Sequence, residues 1–307
     1  MNIYRAYGLT LACDRELPFT ACEAGTPDVT ILVDLGHPLG PSRPGLHREL
    51  RRQDRDWSLR YRNAEGGWLH FSHDTDDKTL TVAGSVPWKA AVQVLVGVAC
   101  AVLLSSAGTP LLHGAGVAVG DEAIAILGPS GAGKSTLAAA LLKAGGRLLS
   151  EDLLALEETN QGFRVHPGHS GISLLPDAFE GLGFASGIGS AAGVRSGTGK
   201  SWTDTRGAAA TAEPVALRAV YVLEGPNPGF PAGRAERLSR TAASPVLFQH
   251  LYGAEWIRSP ERADLAFCAS LAAKVPIFSL SRAMSLDDLK ACAAILAVPQ
   301  PASVGPG

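Results

Sequence analysis

The chain has 307 residues, 46% of them hydrophobic and 18% charged, with a formal net charge of -2 at neutral pH. Such a composition builds one large or two modest globular domains and excludes a disordered or collagen-like chain. The near-balanced charge gives no electrostatic case for nucleic acid or for an anionic membrane as partner.

The five cysteines, Cys13, Cys22, Cys100, Cys268 and Cys292, are scattered, without a C-x-x-C pair or partner histidines. The expectation is a reducing, cytoplasmic setting with neither a zinc site nor a disulfide framework. The N-terminus lacks the basic-then-apolar order of a signal peptide. Residues 1–87 are expected to form a β-rich N-terminal module. Its candidate strands are Val29–Val33, Trp57–Tyr61, Trp68–Phe71 and Thr79–Val82, with turns at Glu65-Gly66-Gly67 and Asp76-Asp77-Lys78. Arg48–Arg62 is locally basic with interleaved aromatics, but Glu49, Asp54 and Asp56 break up the charge, so a solvated strand face is expected. Ala90–Ala107 is the most hydrophobic window. It carries Gln93 and Gly97 and has no aromatic belt, so it predicts a buried core helix and no membrane span.

Leu111–Val119 predicts a strand, turned at Gly120-Asp121 into the apolar strand Ala123–Leu127. Immediately after it, Gly128-Pro129-Ser130-Gly131-Ala132-Gly133-Lys134-Ser135 fits the phosphate-loop pattern G-x-x-x-x-G-K-[ST]. Thr136–Lys143 then supplies helix formers, stopped by Gly145-Gly146. Strand, loop and helix in this order are the context such a motif needs. Glycines let the backbone wrap an anion, while loop N–H groups and the helix N-terminus offer donors and positive potential. The residues from Gly128 to Thr136 are therefore the expected nucleotide contacts, with Lys134 reaching the terminal phosphates and Ser135 placed to ligate Mg²⁺. His113 stands on the strand beside the loop and is a candidate site residue.

Arg147–Leu156 predicts a strand carrying Glu151 and Asp152 at its middle. Neighbours on a strand point to opposite faces unless a bulge re-aims one, and an acidic pair in an apolar strand is costly unless a cation or a reaction needs it. The economical assignment gives Asp152 to the metal and Glu151 to an acceptor hydroxyl.

The combination of His113-Gly114, the phosphate loop and Arg147-Leu-Leu-Ser-Glu151-Asp152 directly after the loop helix resembles HPr kinase/phosphorylase. That family and the similar phosphoenolpyruvate carboxykinases also place the metal-binding acid just after the loop helix. The resemblance implies an α/β, phosphoenolpyruvate-carboxykinase-like P-loop kinase domain over residues 88–298. It also implies ATP, or GTP in its place, with Mg²⁺, a homo-oligomer, His113 as the active-site histidine and Glu151 as the base. The family has Asp where this chain has Glu151. The opening Tyr4-Arg-Ala-Tyr-Gly-Leu-Thr10 and the compact length look like the HPr-kinase-like proteins of ribosomal-peptide clusters, including lasso-precursor kinases. The implied acceptor is a peptide or small protein bearing a serine hydroxyl. The alternatives are an HPr-like protein, a small hydroxylated metabolite, or a nucleotide-responsive binding protein with little turnover.

Further on, His166 and His169 are weak candidates for substrate contact. Gly181–Pro214 is Gly/Ser/Ala-rich and predicts a mobile lid, with Lys200 as a candidate phosphate or substrate contact. Arg218–Leu223 and Ile277–Leu280 predict strands. Ser259-Pro260-Glu261 opens a helix to about Lys274, and Ser285 opens the last helix as a capping-box variant. Residues 299–307 are expected to be a disordered tail.

Overall fold

The computed structural model describes residues 1–36, 47–62, 67–184, 200–205, 212–224, 233–254, 256–281 and 285–297. The expected turn at residues 65–66 and the expected tail lie outside them, as does most of the expected lid.

The N-terminal half is a sheet built from β1 (Asn2–Ala6), β2 (Leu9–Cys13), β3 (Thr20–Cys22), β4 (Val29–Leu35), β5 (Arg48–Gln53), β6 (Asp56–Arg62), β7 (Trp68–Asp74) and β8 (Thr79–Gly84). Its order is β3-β1-β2-β4-β8-β7-β6-β5. The four expected strands are present. The structure adds β1, β2, β3 and β5, which are short or, in β5, almost wholly polar. The β1–β2 hairpin turns on Tyr7-Gly8, both with positive φ (56° and 85°), where sequence patterns lead one to look for Asn-Gly. Tyr7 is held there from outside the hairpin: its N–H donates to the Pro167 carbonyl at 2.7 Å and its hydroxyl to the Val96 carbonyl at 3.0 Å. Three arginines of the basic β5–β6 hairpin have partners, one within the hairpin and two beyond it. Arg51 pairs with Glu49, Arg52 donates to the Ser106 hydroxyl, and Arg48 lies over the Trp256 ring.

The hydrophobic window is helical from Trp88 to Ser106. It consists of α1 (Trp88–Val94), a π-helical turn (Leu95–Ala99) and α2 (Cys100–Ser106). Its length and mean hydropathy of 1.8 would suffice to cross a membrane, and 67% of the window is buried inside the protein. It packs on the N-terminal sheet in one core with Phe71, Leu59, Leu69 and Leu80, a core that also takes in Leu111, Leu153 and Ala155 from the second half.

The second half is organised around β9 (Leu111–Val119), β10 (Glu122–Leu127), β11 (Arg147–Ser150), β12 (Leu153–Thr159), β13 (Gly162–Val165), β16 (Val215–Leu223), β17 (Arg234–Arg237) and β18 (Ile277–Ser281). The path β10-β9-β12-β13-β16-β18-β17 closes on itself where β10 also pairs in parallel with β16. A separate ribbon joins β14 (Gly171–Leu174) to β15 (Ser201–Asp204). Helices cover both faces: α3 (Lys134–Lys143), α4 (Pro176–Gly181) and α7 (Leu286–Ala297) on one, α5 (Arg240–Gln249) and α6 (Arg262–Lys274) on the other. Along β10, Ile124 and Ile126 face α3 and α7, while Ala123, Ala125 and Leu127 face α5 and α6. Burial on both sides is why this strand reads as an unbroken apolar run rather than an alternating one.

Three expectations are corrected. Arg147–Leu156 is not one strand: it breaks at Glu151-Asp152 into β11 and β12. The residues expected to be lid include an ordered strand, β15, paired with β14. Helix α6 begins at Arg262, capped by Glu261 and not by Ser259. The reason is Asp264, whose carboxylate accepts the Glu261 N–H at 2.7 Å and a two-pronged contact from Arg258, at 2.7 and 2.8 Å.

Candidate active site

The glycine loop joins the end of β10 to the start of α3. Gly133, at φ 97°, is the residue before the helix, and among the described residues no side chain caps it. No acidic residue stands in the first turn either. The first N–H groups of α3 thus have no intrahelical acceptors and point at the space above the loop. Gly128 is required by close approach as well as by its φ of 144°, since a Cβ there would sit 2.7 Å from the Leu223 carbonyl oxygen.

Lys134 is 8% exposed, and its ammonium donates to the carbonyls of Gly128 (2.9 Å) and Pro129 (3.2 Å). One of its three N–H bonds remains for a ligand. Burial lowers its pKa; Asp152 opposes that shift and Lys200 adds to it. Gly128 and Pro129 therefore serve the site through their carbonyls, and Ala132 is buried in the core. Ser130, Gly131, Gly133, Lys134, Ser135 and Thr136 line a cleft of about 620 Å³.

The acidic pair takes its geometry from the strand break. Asp152 has φ 63°, and the Leu153 N–H donates to the Glu151 carbonyl at 2.7 Å, closing a γ-turn of the rare positive-φ kind. The Ser150 hydroxyl clamps the turn by donating to the Leu153 carbonyl at 2.7 Å. A non-glycine residue held at positive φ is strained, and here the strain separates the two carboxylates. Asp152 is turned out into the cleft, its side chain 52% exposed. Glu151 is turned in and is 2% exposed.

Glu151 lies behind Ser135 and Ser173, both of which line the cleft. Its Oε2 accepts the Ser173 N–H at 2.6 Å. Oε1 is buried and, among the described residues, has no hydrogen-bond partner. Burial, reinforced by the neighbouring Asp152 charge, pushes the Glu151 carboxyl up to about 8, while the Ser173 N–H pulls the other way.

His113 faces Asp152 across the β9–β12 pairing, Nε2 to Oδ1 at 3.9 Å, and its ring stacks on Tyr252 with centroids 5.6 Å apart. Burial holds the imidazole below its ordinary pKa, helped by the Lys134 charge, so it is neutral at pH 7. The next residue, Gly114, is required by crowding: a Cβ would lie 2.5 Å from Leu127 and 2.6 Å from the Ile126 carbonyl. Lys200, placed at the entry to β15, lines the same cleft, as do Asp177 and Ser285. His166 and His169 do not line it. His166 lies 3.5 Å from Glu157, and His169 accepts the Gly171 N–H at 3.2 Å. Sequence reasoning gave no site role to Ser173, Asp177, Ser285 or Tyr252, because each comes to the cleft from an element distant in sequence from the glycine loop.

Fold and cleft together define a mixed α/β protein whose glycine loop opens onto a polar cleft flanked by an acidic turn. No family model matches the sequence, and no curated protein matches it. Among solved structures the chain is similar to the Hpr(Ser) kinase/phosphatase from Coxiella burnetii, at 12% identity and a TM-score of 0.30, over 61% of this chain and 95% of that one. A likeness of that size carries no argument, and the functional reading rests on the cleft.

Proposed function

We propose that this protein is an ATP- and Mg²⁺-dependent kinase that transfers the γ-phosphoryl group to a serine hydroxyl, with a ribosomal peptide of the lasso-precursor kind as acceptor. The observation that carries the kinase reading is the convergence of glycine loop, Lys134 and acidic turn on one 620 Å³ cleft. The peptide acceptor rests on the resemblance of the Tyr4–Thr10 opening.

The residues present suit Mg²⁺. Ser135 Oγ, the Asp152 carboxylate and the orphaned Glu151 Oε1 are hard oxygen donors around the loop's helix N-terminus. A bound Mg²⁺ supplies charge neutralisation at the β- and γ-phosphates. Lys134 adds its charge there. The geometry favours exchanging the roles assigned from sequence. Glu151, buried behind the cleft-lining Ser135 and Ser173, suits the metal side. Asp152, turned into the cleft beside neutral His113, suits the acceptor hydroxyl. In the transfer step the serine Oγ bonds to the γ-phosphorus, the bond to the β-bridging oxygen breaks, ADP leaves, and the serine proton passes to Asp152. Positioning and electrostatics do most of the work in such a reaction.

One observation favours a second reading, a nucleotide-responsive binding protein with little turnover: Glu151 is buried and holds its proton to about pH 8. Intact-mass spectrometry of a lasso-precursor peptide incubated with the protein, ATP and Mg²⁺ separates the two. The kinase reading expects a gain of about 80 Da, one phosphoryl group, on a serine. It expects Asp152→Asn to abolish the gain while Mg·ATP still binds, and Glu151→Gln to weaken the Mg²⁺ dependence of ATP binding. Lys134→Ala should lose triphosphate affinity. Unmodified peptide with ATP bound would transfer the weight to the binding protein.

A further inference from the structure

A second pocket, of about 370 Å³, opens at the seam between the N-terminal sheet and the second half. Tyr4, Phe19 and Ala21 line it from the sheet, and Leu148, His169 and Ser170 line it from the other side. All of these are buried except Ala21, which stands exposed at the rim. The walls are held in place by main-chain hydrogen bonds. The Ser170 N–H donates to the Pro18 carbonyl at 2.9 Å across the seam, and the Gly168 N–H donates to the Leu149 carbonyl at 2.7 Å. A preformed pocket with an apolar floor and a few polar groups has the build of a binding site.

Two stretches of chain lead from this pocket to the cleft. Leu149, on its wall, runs through Ser150 into the acidic turn, and Ser170 runs into β14, whose Ser173 lines the cleft. From Leu149 to Asp152 and from Ser170 to Ser173 is three residues each, at most about 10 Å of extended chain. Trp202 lies on the second route. It stands opposite Ser173 in the β14–β15 register, and its ring covers Gly171, where a Cβ would fall 2.0 Å from it. Gly171 and Ser173 share one face of β14, because alternate residues of a strand point the same way. The half-buried indole therefore forms the ground between pocket and cleft.

We propose that the seam pocket is a second docking site for the acceptor peptide. It takes a large apolar side chain about three to five residues from the phosphorylated serine, at about 3.3 Å of extended chain per residue, and the chain between them passes over Trp202. The inference rests on the peptide-kinase reading and deepens it. The serine is held at Asp152, and the spacing between Asp152 and the pocket is that of a few peptide residues. Phe19 and Leu148 supply the apolar contact that removes such a side chain from water.

The test is fluorescence anisotropy of a labelled lasso-precursor peptide titrated with the full chain, beside calorimetric titration with Mg·ATP. Ala21→Trp fills the pocket from an exposed rim position, and a melting curve checks that the variant is folded. It should weaken peptide binding and raise the peptide KM at least about fivefold, with kcat and Mg·ATP affinity unchanged. Replacing the peptide's large apolar residue in that window by Ala should weaken binding to the unaltered protein by the same factor. The same replacement should have no further effect on Ala21→Trp, because two changes at one contact do not add. Additive losses, or unchanged peptide affinity in Ala21→Trp, overturn the docking site and leave the kinase reading standing. Where Ala21→Trp melts early, the peptide series decides alone, and no loss on removing the apolar residue overturns the site. A peptide that neither binds nor gains phosphate while Mg·ATP binds overturns the peptide acceptor and this site with it.

Discussion

Glu151 is the residue on which the site's electrostatics turn. Its folded-state pKa of about 8 lies well above the ordinary carboxyl value of about 4.3. Between those values the folded protein keeps a proton that the unfolded chain has released. Stability therefore falls as pH rises through that window, and the whole deficit is present above pH 8. Glu151→Gln keeps an acceptor for the Ser173 N–H and removes the titration. In EDTA the variant should melt higher than the unaltered protein at pH 8.5, with the advantage shrinking toward pH 4.5. Parallel melting curves across that range would show that the carboxyl is not held protonated. Asp152 is the opposite case, an exposed carboxylate at a strained φ of 63°. That both residues are acidic, and that strand neighbours face opposite ways, could be read from the chain; which of the two is buried could not. The deciding feature is a γ-turn closed by one backbone hydrogen bond and the Ser150 clamp.

Among the elements, α6 shows how a tertiary partner sets a boundary. Ser259-Pro260 is a good local start signal, yet the helix begins at Arg262 because Asp264, 3% exposed, is shared between the Glu261 N–H and Arg258. Arg258→Ala would leave a buried carboxylate with one donor and should cost about 3 kcal/mol, read from urea unfolding. A loss below about 0.5 kcal/mol, the scale of an ordinary surface substitution, would mean that the pair is solvent-screened. The last helix behaves differently. Ser285 and Asp288 cap it as their spacing predicts, because a capping box needs only residues within one turn. The strands β9 and β10 were also legible, their apolar runs separated by Gly120-Asp121, with Gly120 at φ 61° in a two-residue loop. The β1–β2 hairpin was not, because the contacts that hold Tyr7 at positive φ come from Pro167 and Val96.

At the scale of the molecule, the N-terminal sheet is coupled to the acidic turn through a tight seam. Gly168 donates to the Leu149 carbonyl, and a Cβ on it would lie 2.2 Å from the Tyr7 ring and 2.4 Å from Ser150 Oγ. Tyr7 belongs to the first hairpin, and Ser150 is the clamp of the turn that aims Asp152. Gly168→Ala should therefore destabilise the protein by about 1–3 kcal/mol, the usual range for overpacking. It should also weaken the Mg²⁺ dependence of ATP binding, because the displaced Ser150 releases the turn. A lower melting temperature with unaltered Mg·ATP titration would uncouple the seam from the site. The shared core around Leu111, Leu153 and Ala155 adds apolar contact across the same boundary.

The sequence by itself determined the parts whose physics is local. The glycine loop between an apolar strand and a helix, the His113 strand beside it, the acidic pair after the helix and the cap at Ser285 all follow from residue type and spacing within a few positions. Only the tertiary structure decided the arrangement of those parts. It opened the Arg147–Leu156 run into a turn, buried Glu151 behind Ser173 and brought Lys200 and Asp177 to the cleft. Those outcomes depend on contacts between segments far apart in the chain, and the free energy of such contacts is a property of packing that no local pattern carries.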